Sequence, residues 1–347
     1  MKTHPRAERG AVTVLVAFMI PVFLGIAALV IDVAYVQIVR NELQNDADAA
    51  ALAGAQHLRS TTSATPQWST AETMAFNAIA FNAADGKMLS TGTVQSGYWN
   101  PKQVNAALQQ LPMTPTANDV PAVQVTLTKG SGQNDGEVAT FFARLWNIFS
   151  TPVSVTAVAG MTSPGTIERG GLFPLVVNQC VYDTYWDSSA TPPGPKTTAS
   201  GEAISLALTD DDDKPYGLCN TFKWSSLLTK ENSAEVFRDL VATRNPVELN
   251  IGDKIWIEPG SMADLFKTVA ACSAADGKSC EYVTLPMVTS IASRGEVPIS
   301  SFACARIVDA SKKDKTITIQ LSTQCPQPPS GGIGPDFGVV SPPSLFR

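Results

Sequence analysis

The sequence predicts an α+β protein: a long N-terminal transmembrane and spine helix, a small α+β head, and a β-rich domain containing cysteines. Three observations predict it. Residues 11–31 carry no charge, residues 40–59 are rich in alanine and free of proline, and all six cysteines lie beyond residue 179. The chain has 347 residues, room for about two domains beyond the helix. Its charged share of 16 % is low, and its net charge of −6 comes without any cluster of lysine or arginine. That pattern excludes nucleic acid as an expected partner.

The first element is the anchor. An uncharged stretch of about 20 residues, rising 1.5 Å each, crosses a hydrocarbon core of about 30 Å. Lys2, Arg6 and Arg9 precede it against a single Glu8. Basic flanks stay inside, so residues 1–10 are expected in the cytoplasm and the bulk of the chain outside, periplasmic or extracellular. Residues 11–38 are read as the single-pass span, with the inner-membrane bilayer as its partner. Pro21 predicts a kink. Asp32 falls at the outer end, where it is either solvated among headgroups or, if deeper, in need of a partner. Tyr35 fits an interfacial aromatic.

The helix is predicted to continue to about residue 58, because residues 40–59 have high helix propensity. Leu43, Ala47, Ala50 and Gly54 recur at helical spacing and form a seam of mostly small residues. Another helix or a sheet can approach such a seam closely, and it is the expected partner surface.

The rest of 39–160 is read as the head. A second helix is expected over 71–84, capped by Ser69 or Thr70, with Met74, Ala75, Ala78, Ile79 and Phe81 inward. Strands are expected over 93–99, 120–128 and 153–160, and helices over 101–111 and 138–148. Residues 161–171 read as a linker. In 172–325, residues 248–258 read as a strand pair, 262–275 as a helix capped by Ser261, and 281–291 as a strand. Residues 299–308 and 315–322 read as a hairpin. The tail, 326–347, is dense in proline and glycine and reads as disordered or strapped down.

Six cysteines confined to one exported region predict disulfides. Neighbour pairing gives Cys180–Cys219, Cys272–Cys280 and Cys304–Cys325, one of fifteen possible sets. Only His4 and His57 are present, which removes the commonest general base and zinc ligand from the cysteine domain. No catalytic residue and no cofactor is expected. The run at Asp210, Asp211, Asp212 and Asp213 is either a solvated turn or, through Asp210, Asp211 and Asp213, a calcium ligand set. Tyr182, Tyr185 and Trp186 are either core or a sugar-stacking patch.

The N-terminal residues resemble the TadE/TadG-like Flp (tight-adherence) pilus-assembly family. The resemblance rests on Arg9-Gly10, Pro21, Ile31-Asp32-Val33-Ala34-Tyr35, and the run from Leu43 through Gln44, Asn45, Ala47 and Asp48 to Ala53. It is strong over about residues 9–55 and continues more weakly to about 160, through Gly97-Tyr98-Trp99, the strand at Ala122, Phe141-Phe142-Ala143-Arg144 and the strand from Val153. It implies a non-enzymatic role in building or anchoring Flp pili, or a related envelope secretion apparatus, through contacts with other proteins of that apparatus. A cleaved minor pilin or adhesin is the alternative, and a surface-anchored hydrolase a second one. Prepilins of this type are cut after a glycine and carry a glutamate five residues on. Here Leu15 stands at that position after Gly10, which favours an uncleaved assembly protein. Some larger relatives carry a metal-binding Asp-x-Ser-x-Ser motif, but residues 309–313 place Lys313 at the second serine and read better as a hairpin turn.

Overall fold

The computed structural model describes residues 9–59, 66–116, 118–190, 193–209, 221–228, 234–258, 263–291 and 294–346. One continuous helix, α1 (Arg9–Ala55), opens the fold and passes through Pro21 without interruption. Its 47 residues make it about 70 Å long at 1.5 Å each. Residues 13–24 are exposed on every side, whereas Val39, Leu43, Ala47, Ala50, Ala51 and Ala55 are buried. One helix therefore has two environments, and the change falls where the uncharged run gives way to alanine.

The head packs around the upper half of α1. A five-stranded antiparallel sheet runs in the order Ser344–Phe346, Val153–Gly160, Val120–Lys129, Thr93–Trp99, Gln109–Gln110. Alternation along the strands sets which face is buried. Val123, Val125, Leu127, Val155 and Ala157 point to the core shared with α1. On the other face, hydroxyl pairs such as Thr126–Thr156 and Thr128–Ser154 cross between strands at 3.0 and 2.9 Å. The second helix, α2 (Trp68–Ile79), lies against α1 and buries Ala71, Ala75 and Ile79.

Several expected elements differ. α2 starts at Trp68 after Gln67, not after a Ser69 or Thr70 cap, and ends at Ile79. Ala83–Ala84 instead pairs with Lys87–Met88 across Asp85-Gly86, both at positive φ, a hairpin turn. Met74 faces solvent because it lies off the Ala71–Ala75–Ile79 face that packs inward, and Phe81 lies beyond the end of α2 and is exposed. Residues 101–111 form turns and the short strand Gln109–Gln110, with Asn105 in the left-handed region. Residues 138–148 form no α-helix either. Val138–Ala139 pairs with Ser150–Thr151, and a 3-10 turn, Ala143–Trp146, closes the loop.

The C-terminal region builds a six-stranded mixed sheet ordered Ser205–Thr209, Thr316–Leu321, Ser301–Ser311, Tyr282–Val288, Leu175–Asn178, Phe222–Trp224. Only the contact between Leu175–Asn178 and Tyr282–Val288 is parallel. Apolar clusters cover both faces. Three helices flank it: α3 (Gln179–Tyr185), α4 (Ala234–Thr243) and α5 (Ala263–Ala270). α3 is too short to show a period, whereas α4 is amphipathic and buries Phe237, Leu240 and Val241 on one face. α5 ends at Ala270 rather than at 275, because the chain turns there into the Cys272–Cys280 loop. Leu249–Asn250 and Lys254–Ile257 do not pair with each other. The first joins Thr166–Ile167 and the second Gly295–Pro298. Residues 309–315 are the end and turn of the Ser301–Ser311/Thr316–Leu321 hairpin.

The tail is strapped down. Ser330–Gly331 pairs with Thr166–Ile167, inside the stretch read as a linker, and Ser344–Phe346 returns to edge the head sheet.

Candidate functional site: the junction of anchor helix and head

Small side chains on α1 let the head close onto it. Leu43, Ala47 and Ala50 are fully buried, as is Gly54. A Cβ on Gly54 would stand 2.8 Å from Ala75 Cβ, 2.9 Å from the Ala71 carbonyl oxygen and 3.1 Å from Val123 Cγ1. Such distances leave room for hydrogen alone. The seam expected to receive another protein is thus filled by the chain's own α2 and sheet. Of the other motif residues, Gln44 Nε2 donates to Asp48 Oδ1 at 2.7 Å and to the Thr156 carbonyl at 3.4 Å, tying α1 to the sheet. Asn45 is exposed, Pro21 lies in the exposed half, and Gly10 lies in the first turn.

Asp32 is only 4 % exposed, not solvated. Its carboxylate accepts three backbone N–H groups at the start of the 3-10 turn: Phe141 at 2.8 Å, Phe142 at 2.9 Å and Ala143 at 2.6 Å. The first amides of any helical turn lack partners within it, and an acidic side chain satisfies them. Here the cap comes from another helix, more than a hundred residues earlier in the chain. Tyr35, one turn on, packs edge-on against Phe141 with ring centroids 5.3 Å apart.

Asp85 gathers the next layer. It accepts the Tyr35 hydroxyl through Oδ1 and holds Lys129 Nζ 3.5 Å from Oδ2. Lys129 is 1 % exposed and also donates to the Asn134 carbonyl at 3.0 Å. The Asp85 amide donates to Glu42 Oε2 at 2.9 Å. A hairpin turn, α1 and a central strand meet at one carboxylate. Higher on α1, burial pushes the Asp46 carboxyl up to about 6, with help from the Glu42 charge, and Asp46 Oδ2 has no hydrogen-bond partner.

Beyond the C-terminal end of α1, a cleft of about 330 Å³ lies where head and C-terminal region meet. Arg59 and Asp336 pair across its wall at 3.1 Å. Burial pushes Asp119 up, but hydrogen bonds from Thr116 and Gln109 outweigh it and leave its carboxyl below the usual range. Among the described residues no cluster of three His, Cys, Asp or Glu side chains is placed to hold a metal ion. Asp210, Asp211 and Asp213 lie outside the described residues, as does His4. Tyr182 and Trp186 are core: Tyr182 is fully buried, its hydroxyl donates to the Cys304 carbonyl at 2.7 Å, and burial pushes its pKa up. Tyr185 packs at the edge of the same core. Disulfides join Cys272 to Cys280 and Cys304 to Cys325. Cys180 is disulfide-bonded as well, and Cys219 lies outside the described residues.

Two family models match overlapping parts of the chain. Residues 10–57 match the Flp pilus-assembly TadE/G-like family, and residues 53–159 match the Tad-like Flp pilus-assembly family. The first covers α1 and the second most of the head. A search of curated proteins and one of solved structures each found no match.

Proposed function

Residues 10–57 match the TadE/G-like and residues 53–159 the Tad-like Flp pilus-assembly family model, and from that premise we propose that the chain is a membrane-anchored, non-enzymatic component of the Flp pilus-assembly apparatus. It crosses the inner membrane once, with residues 1–10 in the cytoplasm and the head and C-terminal region outside, and it acts by contacting other proteins of the apparatus.

The observation that carries this reading is the division of α1. Its lower half has a mean hydropathy of 2.9 over its most apolar window, and none of that window is buried in the protein. Its upper half is the core of the head. An apolar helix exposed on every side requires an apolar surround, and a bilayer supplies it over the right length. Because the alanine seam is occupied, contacts with other proteins fall to the exposed side of the spine and to the outer surfaces of the head.

Carbonate extraction of membranes, combined with N-terminal sequencing, tests the proposal. Retention in the pellet with the N-terminus at Met1 is the expected result. Release of the protein into the supernatant would sink the anchor. A start at Ala11 would instead make the protein a cleaved subunit that enters the fibre.

A further inference from the structure

We infer that residues 141–149 form a second membrane contact, an aromatic turn that lies in the outer interface of the bilayer beside α1. The inference rests on α1 being the membrane anchor and adds a lipid-binding surface to it.

The turn is apolar and turned outward. Phe141, Phe142, Leu145, Trp146, Ile148 and Phe149 are exposed by 59, 39, 79, 56, 51 and 59 %. A soluble head gains nothing by presenting six large apolar side chains in nine residues, and contiguous patches of this kind mark interaction surfaces. Its level identifies the surround. The turn is fastened to Asp32, at the outer end of the uncharged run. Ala28, one turn deeper on the same face of α1, is buried too, while residues around it are exposed. Those four residues correspond to about 6 Å along the helix. That depth matches the roughly 5–10 Å to which interfacial segments embed apolar side chains. The apolar surface of the turn is therefore continuous with that of the span.

Lipid contact also demands a backbone with no unpaired amides. Seven of the ten amides from 140 to 149 have an acceptor. The amides of 141, 142 and 143 go to Asp32. Those of Thr140, Leu145, Asn147 and Ile148 go to the carbonyls of Phe149, Phe142, Arg144 and Ala143. The Thr140 hydroxyl donates to the Ile148 carbonyl at 2.5 Å. The one charged side chain, Arg144, donates its Nε back to the Thr140 carbonyl at 2.7 Å, toward the head. Trp146 and the phenylalanines have the composition of a membrane-interface belt. Asp32 is thus a positioning residue: it fixes the turn at the depth of the interface.

The test uses the full-length chain in phosphatidylcholine nanodiscs, one copy per disc, with an environment-sensitive fluorophore on a single introduced cysteine. Leu145→Cys probes the turn, Phe18→Cys the middle of the span, and Val104→Cys the far end of the head. All three positions are exposed, so the fold should tolerate the label. Lipids brominated near the glycerol end of the acyl chain should quench the 145 label at least about twofold more than the 104 label. Lipids brominated near the chain end should quench the label at 18. Equal quenching of 145 and 104 by lipid, with equal access to aqueous iodide, overturns the proposal. Shielding of 145 from both quenchers reassigns the turn to a protein contact and also overturns it. Failure at position 18 refutes the anchor itself.

Discussion

The Tyr35 hydroxyl on α1 reaches the Asp85 carboxylate in a hairpin turn of the head, fifty residues along the chain. The same carboxylate holds the buried Lys129 ammonium, so it couples the helix to the central strand of the sheet. Tyr35→Phe removes one hydrogen bond to a charged acceptor and should cost about 2 kcal/mol. Asp85→Asn strands the buried lysine and should cost about 3–5 kcal/mol. Denaturant unfolding of the full-length protein in detergent measures both. Equal and small losses would show that the lysine does not depend on Asp85.

Gly54→Ala should destabilise the protein although alanine is the better helix former. The gain in propensity is about 1 kcal/mol. Overpacking against Ala75 and the Ala71 carbonyl should outweigh it, since such insertions cost about 1–3 kcal/mol. Gly54→Leu should prevent the head from closing on α1 and leave it sensitive to protease. A melting temperature that rises in the alanine variant would contradict the close approach described here.

Asp46 gives the junction a pH dependence. Burial, with the Glu42 charge, raises its folded-state pKa to about 6, above the ordinary 3.8. Folded protein then binds this proton more tightly than unfolded chain does. The stabilising contribution is complete below about pH 4 and is lost as pH rises through 6. Asp46→Asn should therefore be more stable than the parent at pH 7, with the difference closing toward pH 4. Thermal melts of both proteins across that window check the sign. A difference that grows on acidification would reverse it.

Residues 344–346 close the head sheet, with Phe346 stacked on Trp99 at 6.1 Å and seated over Gly160. Phe346→Ala should loosen that edge. Hydrogen exchange at the amides of Val158 and Gly160 should speed up by roughly tenfold, the equivalent of about 1.4 kcal/mol of local stability. Unchanged exchange there would show that the outer strand contributes no protection.

The helix was legible because its signals are local: an uncharged run, then alanine without proline. The strand at 120–128 was legible through alternation, and the one at 93–99 through the glycines that bound it. The Asp32 contact was not, because its three donor amides lie at residues 141–143 and nothing near Asp32 announces them. The same gap explains the misreading of 138–148. Apolar residues in a row suggest a buried helix, but here they point outward from a capped turn. Asn147, in the left-handed region, was the available signal for a tight reversal. The seam at Leu43, Ala47, Ala50 and Gly54 was read as the surface for another protein, whereas the chain's own α2 and sheet fill it. Helical spacing marks a face that packs closely, but what fills it depends on long-range topology.

The return of Ser344–Phe346 to the Val153–Gly160 strand has a temporal consequence. Cores form in the order in which their parts become available, and synthesis delivers a chain's residues one after another from its N-terminus. The head can collapse onto α1 once residue 160 has been made, but its outermost strand edge stays unpaired while the whole cysteine-containing region is still to come. The open edge is a template for wrong strand partners throughout that interval. Completion of the head thus reports that everything up to residue 346 has arrived and folded far enough to bring that segment home.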